Sequence, residues 1–121
     1  MAYIRGMAIS GCDPEVMGIG PVKSSQKALE RAGISLEDVD VIEMNEAFAA
    51  QSLACVKELG IDMSKLNMHG GAISMGHPLG ASGARITGKA ASLLKETGKK
   101  YALSTMCVGG GQGCATVLER A

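Results

Sequence analysis

Apolar residues recur along the chain with spacings that change from one segment to the next, and each change marks a predicted element. Residues 3–10 and 39–44 have the short apolar character of strands, and residues 65–69 predict another. Residues 101–107 and 113–119 predict two further strands around a glycine turn, which is typical of a hairpin. The pattern therefore predicts five strands.

Helices are predicted between the strands, where apolar residues fall three or four positions apart. The predicted helical segments are 23–32, 47–59 and 83–97. Each is followed by a glycine that can end a helix in the left-handed conformation, namely Gly33, Gly60 and Gly98. The last helix has a clear apolar stripe, formed by Ile86, Ala90, Leu93 and Leu94. The second predicted helix places Phe48, Ser52, Val56 and Leu59 on one face.

Three polar residues are expected at helix starts. Asn45 and Ser82 are predicted N-caps, because their side chains can accept a hydrogen bond from the first turn. Glu46 is predicted to be a first-turn acid that the helix dipole favours.

The predicted order of elements, β-α-β-α-β-α-β-β, indicates a single α/β domain over residues 1–121. We expect a mixed, mostly parallel five-stranded sheet with helices on both faces, in which the final hairpin adds an antiparallel strand. Ligands bind such sheets beyond the carboxyl ends of the strands. Segments 45–48, 70–82 and 107–113 should therefore share one rim.

The composition of the chain argues against nucleic-acid binding and against a membrane-spanning or secreted protein. Hydrophobic residues make up 46% and charged residues 20% of the chain, which is typical of a folded domain. Twelve basic residues balance twelve acidic ones, and aromatic residues make up only 2%. Nucleic-acid binding is therefore not predicted. No apolar run approaches the ~20 residues of a membrane span, and no secretory signal is evident, so neither a membrane partner nor secretion is predicted.

The cysteines bear on metal binding and location, and the glycines bear on backbone conformation. The four cysteines, Cys12, Cys55, Cys107 and Cys114, have no metal-site spacing, so no metal is predicted. Without a secretory signal, they indicate reduced thiols and a cytoplasmic location. Glycine is unusually frequent, with 17 residues that cluster at 70–88 and 109–113. Such clusters indicate backbone that turns tightly or approaches a ligand closely.

His77 is the first candidate for chemistry. It lies between Gly76 and Pro78, and the proline fixes the direction of the preceding backbone. A rigid histidine before a helix is suited to act as a general base or an oxyanion donor. The alternative is a loop histidine that only bonds a backbone carbonyl. The surrounding glycines, which leave the ring unobstructed, favour the functional interpretation.

Cys107 and Asn45 are the other candidates. Three glycines follow Cys107 after one residue, so a substrate could approach the thiol, and the Gly109 N–H could stabilise an oxyanion. A tight hairpin with a buried thiol explains the same pattern equally well. Asn45 could hold a water or a substrate carbonyl in addition to capping a helix. A thiol and an imidazole together are suited to acyl transfer, or to proton abstraction next to a thioester.

Three motifs carry a family resemblance. NEAFA at 45–49, GGAISMGHPLGASGAR at 70–85 and CVGGGQG at 107–113 resemble, in that order, the C-terminal half of thiolases. MGIGPV at 17–22 resembles the stretch that opens that half. The resemblance is to acetyl-CoA acetyltransferases and 3-ketoacyl-CoA thiolases, and it covers nearly the whole chain.

The resemblance implies a role for each candidate in Claisen condensation and thiolysis of acyl-CoA thioesters. His77 would activate a nucleophilic cysteine, and with a water held by Asn45 it would form one oxyanion hole. Cys107 would move the proton on and off the α-carbon, and the Gly109 N–H would support a second oxyanion hole. Substrate contacts are expected at Met17, Phe48, Gly76 and Gly110. CoA thioesters would be substrates, and no cofactor is implied.

One departure from the family pattern is large. Thiolases carry the nucleophilic cysteine in an N-terminal half, and none of Cys12, Cys55 or Cys114 lies in a motif that resembles it. We therefore expect the chain to work with such a half, or within a homo-oligomer, and to have residues 83–97 between the halves. Two alternatives are a non-catalytic partner module and a self-contained acyl hydrolase. The hydrolase would use Cys107 as nucleophile and His77 as base, but the sequence reveals no third orienting group.

Overall fold

The computed structural model describes all 121 residues. Four strands are present, β1 (Ala2–Gly11), β2 (Val41–Met44), β3 (Tyr101–Val108) and β4 (Gln112–Arg120). Four α-helices accompany them, α1 (Gly20–Ala32), α2 (Ala49–Leu59), α3 (Ala72–Met75) and α4 (Leu79–Thr97). Short 3-10 turns occupy Pro14–Ile19 and Met63–Lys65. None of the helices combines the length and apolar character needed to cross a bilayer.

The strands form one sheet in the order β1-β4-β3-β2. β2 is parallel to β3, whereas β4 is antiparallel to both β3 and β1. The predicted α/β class is confirmed, and the core clusters place α1 and α2 on one face of the sheet and α4 on the other. The expectation of a mostly parallel, five-stranded sheet is wrong. The hairpin inserts β4 between β3 and β1, so two of the three pairings are antiparallel.

The predicted strand at 65–69 does not form. Only a single bridge joins Leu66 to Ile42. The next residue, Asn67, adopts a φ of 44°, a left-handed conformation that a strand cannot contain. The chain therefore turns away from the sheet edge after one pairing.

The predicted helix ends are confirmed, but all three predicted starts are wrong. α1 begins at Gly20, three residues before the predicted start at 23. Gly33, Gly60 and Gly98 all end their helices in the left-handed conformation. The N-cap of α2 is Phe48 and not Asn45, so the helix begins three residues later than a cap at Asn45 would place it. α4 begins before Ser82, because Pro78 has a φ of −70° that prepares the chain for a helix.

Two apolar clusters, one on each face of the sheet, form the core. On one face, α1 and α2 pack against residues of β2, β3 and β4. On the other, the predicted stripe of α4 is buried against the strands, with Ala90, Leu93 and Leu94 contacting Val41, Ala102 and Leu118. The stripe is thus the helix's sheet-facing side.

β1 is an edge strand that is covered on one face only. Ala8 and Ser10 face α1 and are buried, whereas Met7 is 55% and Ile9 is 71% exposed on the α4 side. α4 does not extend over this part of β1. An apolar patch, which we call the β1 face and define by Met7 and Ile9, is therefore exposed.

The two ends of the chain lie side by side. Ala2 pairs with Arg120, and the Ala121 N–H donates to the Met1 carbonyl at 3.5 Å. Gly11 and Gln112 pair at the opposite end of the same two strands. The termini are thus at the end of the sheet away from the glycine turn.

Candidate functional site

The carboxyl ends of β2 and β3 meet the start of α4 at a mostly apolar cavity of about 490 Å³. Segments 45–48, 70–82 and 107–113 all contribute to its wall, as the sheet topology predicted. The lining residues are Met17, Ala47, Phe48, His77, Leu79, Met106, Cys107, Val108 and Gly109. Two of them carry chemically reactive side chains, His77 and Cys107.

Hydrogen bonds hold both ring nitrogens of His77. Its Nδ1 lies 2.5 Å from the Ser82 Oγ, and that hydroxyl lies 3.2 Å from the Pro78 carbonyl. If Ser82 donates its single proton to the carbonyl, it accepts from the Nδ1–H of His77. The Nε2 is then the unprotonated nitrogen, and it accepts from the Asn45 Nδ2–H at 3.3 Å. This tautomer gives His77 a lone pair that can accept a proton.

Ser82 is a candidate site residue that the sequence did not predict. It was predicted to cap a helix, but it is fully buried in the first turn of α4 and is placed to hold the imidazole instead. A hydroxyl five residues after a histidine, within the first turn of the helix that follows it, is the signal that could have identified it. Ser82 supplies the third orienting group that the sequence did not reveal.

Asn45 lies directly after β2 and is fully buried. Its backbone N–H donates to the Thr105 carbonyl at 3.0 Å, which fixes it against β3. Its Oδ1 has no hydrogen-bond partner in the chain. A buried amide oxygen needs such a partner, so this atom is suited to accept from a water or a polar ligand group. Asn45 therefore lies beside the candidate site, in contact with His77, and is not a helix cap.

The Cys107 side chain is buried, and burial raises the pKa of its thiol. Cys107 is therefore protonated near neutral pH, which suits a proton donor better than a preformed nucleophile. No hydrogen bond joins its Sγ to His77, although both residues line the cavity. The paired nucleophile and base of a self-contained hydrolase are thus not in contact.

The glycine turn after Cys107 is tied to the end of β1. Gly110 and Gly111 have φ values of 80° and 83°, which other residues rarely adopt. The Cys12 N–H donates to the Gly111 carbonyl at 2.8 Å. A side chain on Gly109 would meet no atom within 4 Å, so this residue presents open backbone at the cavity.

The predicted substrate contacts divide into two groups. Met17 and Phe48 line the cavity, and Phe48 is 66% exposed at its mouth. Gly76 and Gly110 do not line it. Gly76 has a φ of 92° and turns the chain into His77. No three His, Cys, Asp or Glu side chains are grouped as metal ligands.

Comparison with known proteins bears on this arrangement. The family model described as "Thiolase, C-terminal domain" matches residues 1–120. The chain belongs to the thiolase family. A 3-ketoacyl-CoA thiolase of Vibrio vulnificus is 62% identical over 122 residues, which cover 98% of this chain and 32% of that protein. One from Shewanella loihica is 57% identical over 123 residues, 99% of this chain and 32% of that relative.

Solved thiolase structures share the fold. The human mitochondrial 3-ketoacyl-CoA thiolase superposes with a TM-score of 0.98 at 52% identity, covering 99% of this chain and 30% of that one. An acetyl-CoA acetyltransferase of Bacillus anthracis gives a TM-score of 0.98 at 46% identity, covering 100% of this chain and 31% of that one. This chain therefore spans about a third of the length of the thiolases it matches.

Proposed function

We propose that this chain supplies the C-terminal part of the catalytic site of a thiolase that acts on acyl-CoA thioesters. The observation that carries the proposal is the placement of His77. Ser82 and Asn45 hold its ring at the wall of an apolar cavity that also contains the Cys107 side chain.

His77 and Asn45 would act on the nucleophile and on the first developing charge. The Nε2 of His77 takes the proton of a nucleophilic cysteine that another segment provides, and once protonated it no longer accepts from the Asn45 Nδ2–H. In the thiolysis direction, the thiolate attacks the 3-keto carbonyl of the substrate, the carbon–carbon bond breaks, and the acyl group later passes from the cysteine to the thiol of a second CoA. The protonated ring, together with a water bound to Asn45, then donates hydrogen bonds to a thioester oxygen that becomes negative.

Cys107 and Gly109 would act on the α-carbon and on the second charge. In the thiolysis direction, breaking the carbon–carbon bond leaves an enolate of acetyl-CoA, and the Cys107 thiol protonates its α-carbon. In the condensation direction, the Cys107 thiol first gives its proton to the CoA sulfur that leaves as the nucleophile is acylated, and the resulting Cys107 thiolate then removes a proton from the α-carbon. The raised pKa of the thiol supports this donor role. The backbone N–H of Gly109 would stabilise the oxyanion at the acylated cysteine.

The substrate class follows from the relatives and from the cavity. Relatives are named 3-ketoacyl-CoA thiolases, and one human mitochondrial thiolase neighbour was solved in complex with CoA. The mostly apolar lining suits an acyl chain or the pantetheine arm of CoA. We infer that the partner is the N-terminal part of a thiolase and that the chain works in the cytoplasm without a cofactor. Its four free cysteines support a reducing location.

Reconstitution tests the proposal. The chain is mixed with the N-terminal two-thirds of the Vibrio vulnificus thiolase, and acetoacetyl-CoA thiolysis is measured. We expect turnover from the mixture and from neither part alone. His77→Ala and Cys107→Ala should each lower kcat by about 10²-fold to 10⁴-fold, the range for loss of a general acid or base. Cys114→Ala is the matched control and should retain activity, because Cys114 does not line the cavity.

The other outcomes identify the alternatives. Stable binding of the two parts without turnover would favour a non-catalytic partner module. Turnover by the chain alone that is lost in Cys107→Ala would favour a self-contained enzyme and overturn the proposal.

A further inference from the structure

Glu46 and Asn67 form a bridge between the end of β2 and the segment that leads to His77. The Asn67 Nδ2 donates to the Glu46 Oε1 at 2.9 Å, and the Ile73 N–H donates to the Glu46 Oε2 at 2.9 Å. We call Glu46 and Asn67, with these hydrogen bonds, the clasp. Glu46 was expected to be a first-turn acid of a helix. Because α2 begins only at Ala49, Glu46 precedes the helix, and the Glu46 carboxylate accepts the hydrogen bonds of the clasp instead.

Asn67 ties the clasp to the strand itself. Its Oδ1 accepts from the Met44 N–H at 2.9 Å, and its Nδ2 donates to the Met44 carbonyl at 2.9 Å. The side-chain amide thus makes the two hydrogen bonds that a neighbouring strand residue would make. The left-handed φ of 44° turns the main chain away and leaves this side chain at the strand end. Such a conformation costs free energy and persists where surrounding contacts determine it.

Glu46 also packs closely on the backbone of the same segment. A side-chain carbon on Gly71 would lie only 2.5 Å from the Glu46 carboxyl carbon. The Gly71 carbonyl accepts from the Ser74 hydroxyl at 2.8 Å, a hydrogen bond that joins the short helix α3 to its N-cap residue beside this contact. The carboxylate therefore fixes the start of α3, and α3 ends two residues before His77.

The clasp joins two chain segments that end at the paired site residues. Glu46 directly follows Asn45, and the segment held by the clasp runs from Asn67 to His77. The Nδ2 of Asn45 and the Nε2 of His77 lie 3.3 Å apart where these segments meet. Neither Glu46 nor Asn67 lines the cavity. We propose that Glu46 and Asn67 are positioning residues that hold the Asn45 amide against the His77 ring.

Part of this proposal is independent of catalysis, and part rests on the proposed function. The geometry of the Asn45–His77 pair can be measured in the chain alone. Its effect on turnover requires the reconstituted thiolase. The two readouts therefore separate failure of the positioning role from failure of the proposed function.

The first experiment uses nitrogen-15 NMR of the chain. Glu46→Gln keeps the shape of the side chain but replaces one of the two acceptor oxygens with an NH2 donor, so one of the two hydrogen bonds is lost. Asn67→Asp removes the donor and places two carboxylates together. We expect the Asn45 side-chain amide signal and the His77 Nε2 signal to shift by more than the mean change over the spectrum. Glu58→Gln, an exposed glutamate on α2, is the control in which both signals stay in place.

The double variant provides a rescue test. In Glu46→Gln combined with Asn67→Asp, the glutamine amide can donate to the aspartate and still accept from Ile73. The hydrogen bond between positions 46 and 67 is restored with its direction reversed, whereas the hydrogen bond from position 67 to the Met44 carbonyl stays lost in every Asn67→Asp variant, so the rescue is partial. We expect both NMR signals to move back toward their original positions, which is the coupling that a double-mutant cycle detects. If both single variants fold and leave these signals unmoved, the positioning role is wrong.

Reconstitution with the thiolase N-terminal part gives the second readout. We expect Glu46→Gln to lower kcat by roughly 10-fold to 100-fold, with a smaller change in KM, because misplaced catalytic groups lose rate more than binding. Unchanged kcat with shifted NMR signals would overturn the link to catalysis. Should Glu46→Gln fail to give a dispersed spectrum, Glu46→Asp keeps the charge with a shorter reach. It is then expected to shift the two NMR signals.

Discussion

At the scale of single residues, a buried carboxyl group on β2 has a measurable consequence. Glu43 is 1% exposed, and neither of its oxygens has a hydrogen-bond partner in the chain. Burial raises its pKa to about 7, and the nearby Glu46 adds slightly to the increase. Lys89 and Arg85 of α4 oppose the increase without cancelling it. Glu43 is therefore largely protonated in the folded chain under mildly acidic conditions.

This carboxyl should make stability depend on pH. Between its ordinary pKa of 4.5 and the folded value of about 7, the folded chain holds a proton that the unfolded chain has lost. The free energy of unfolding should therefore fall as pH rises through this window, by about 3 kcal/mol. Glu43→Gln should remove most of that slope. Urea denaturation at pH 5 and pH 7.5 measures both.

Other shifted groups lie outside this window. The lowered pKa values of Asp38 and Asp62 act at more acidic pH, and the raised pKa of the Cys107 thiol acts at alkaline pH. Parallel stability curves for the wild type and Glu43→Gln would contradict the assignment.

The site could be partly predicted at this scale. Local glycines and proline marked His77, and the glycine run marked Cys107. Ser82 was not predicted, because its hydrogen bond to His77 depends on α4 beginning at Leu79 and not after Ser82. The contacts of Glu46 and Asn67 could not be predicted from the sequence for a similar reason. Their partners are 21 to 27 residues away, and no local pattern encodes such contacts.

At the scale of elements, α1 lies on the sheet through contacts between backbones. A side chain on Gly113 of β4 would overlap the backbone of Gly20 at the start of α1. On β1, a side chain on Gly6 would lie 2.5 Å from the Ala28 carbonyl oxygen. These glycines set the distance between the helix and the strands.

Gly113→Ala should therefore destabilise the chain. Because the overlap is with backbone, α1 must move to relieve it. We expect the free energy of unfolding to fall by about 1 to 3 kcal/mol. Gly88→Ala is the matched control on α4, where a new side chain meets nothing within 4 Å. It should stabilise by about 0.5 to 1 kcal/mol, since alanine favours a helix over glycine. Urea unfolding curves compare the two. Equal effects would exclude the packing explanation.

Elements with strong local patterns were predicted best. The stripe of α4 and the glycines that end the helices follow from side-chain spacing and backbone freedom alone. The strand order could not be predicted in the same way, because β4 pairs with β1 across about a hundred residues. The strand expected at 65–69 stops at one residue, since Asn67 turns the main chain away and pairs with Met44 through its side chain.

At the scale of the whole molecule, the β1 face is the exposed surface with the clearest consequence. Met7 and Ile9 lie on an edge strand, and the neighbouring Cys114 and Thr116 of β4 are only half-buried. Edge strands with exposed apolar side chains favour association with other chains. The net charge of zero provides no overall repulsion to oppose this.

We therefore expect the isolated chain to self-associate at high concentration. Light scattering after size exclusion should give an average mass above the 12.4 kDa of one chain. Replacing Met7 and Ile9 together with lysine should return the mass to that of a monomer. Leu53→Lys, at an exposed leucine on α2, is the control that should leave association unchanged. A freely soluble monomer in the unmodified chain would contradict the prediction.

The neighbouring termini offer a practical use. Since Met1 and Ala121 meet at the sheet end away from the glycine turn, a tag or surface attachment at either end should leave the cavity unobstructed. A short linker could also join the two ends into a circularly permuted chain. New ends could then open in an exposed loop, and the residues around the cavity would keep their places because no strand pairing is cut.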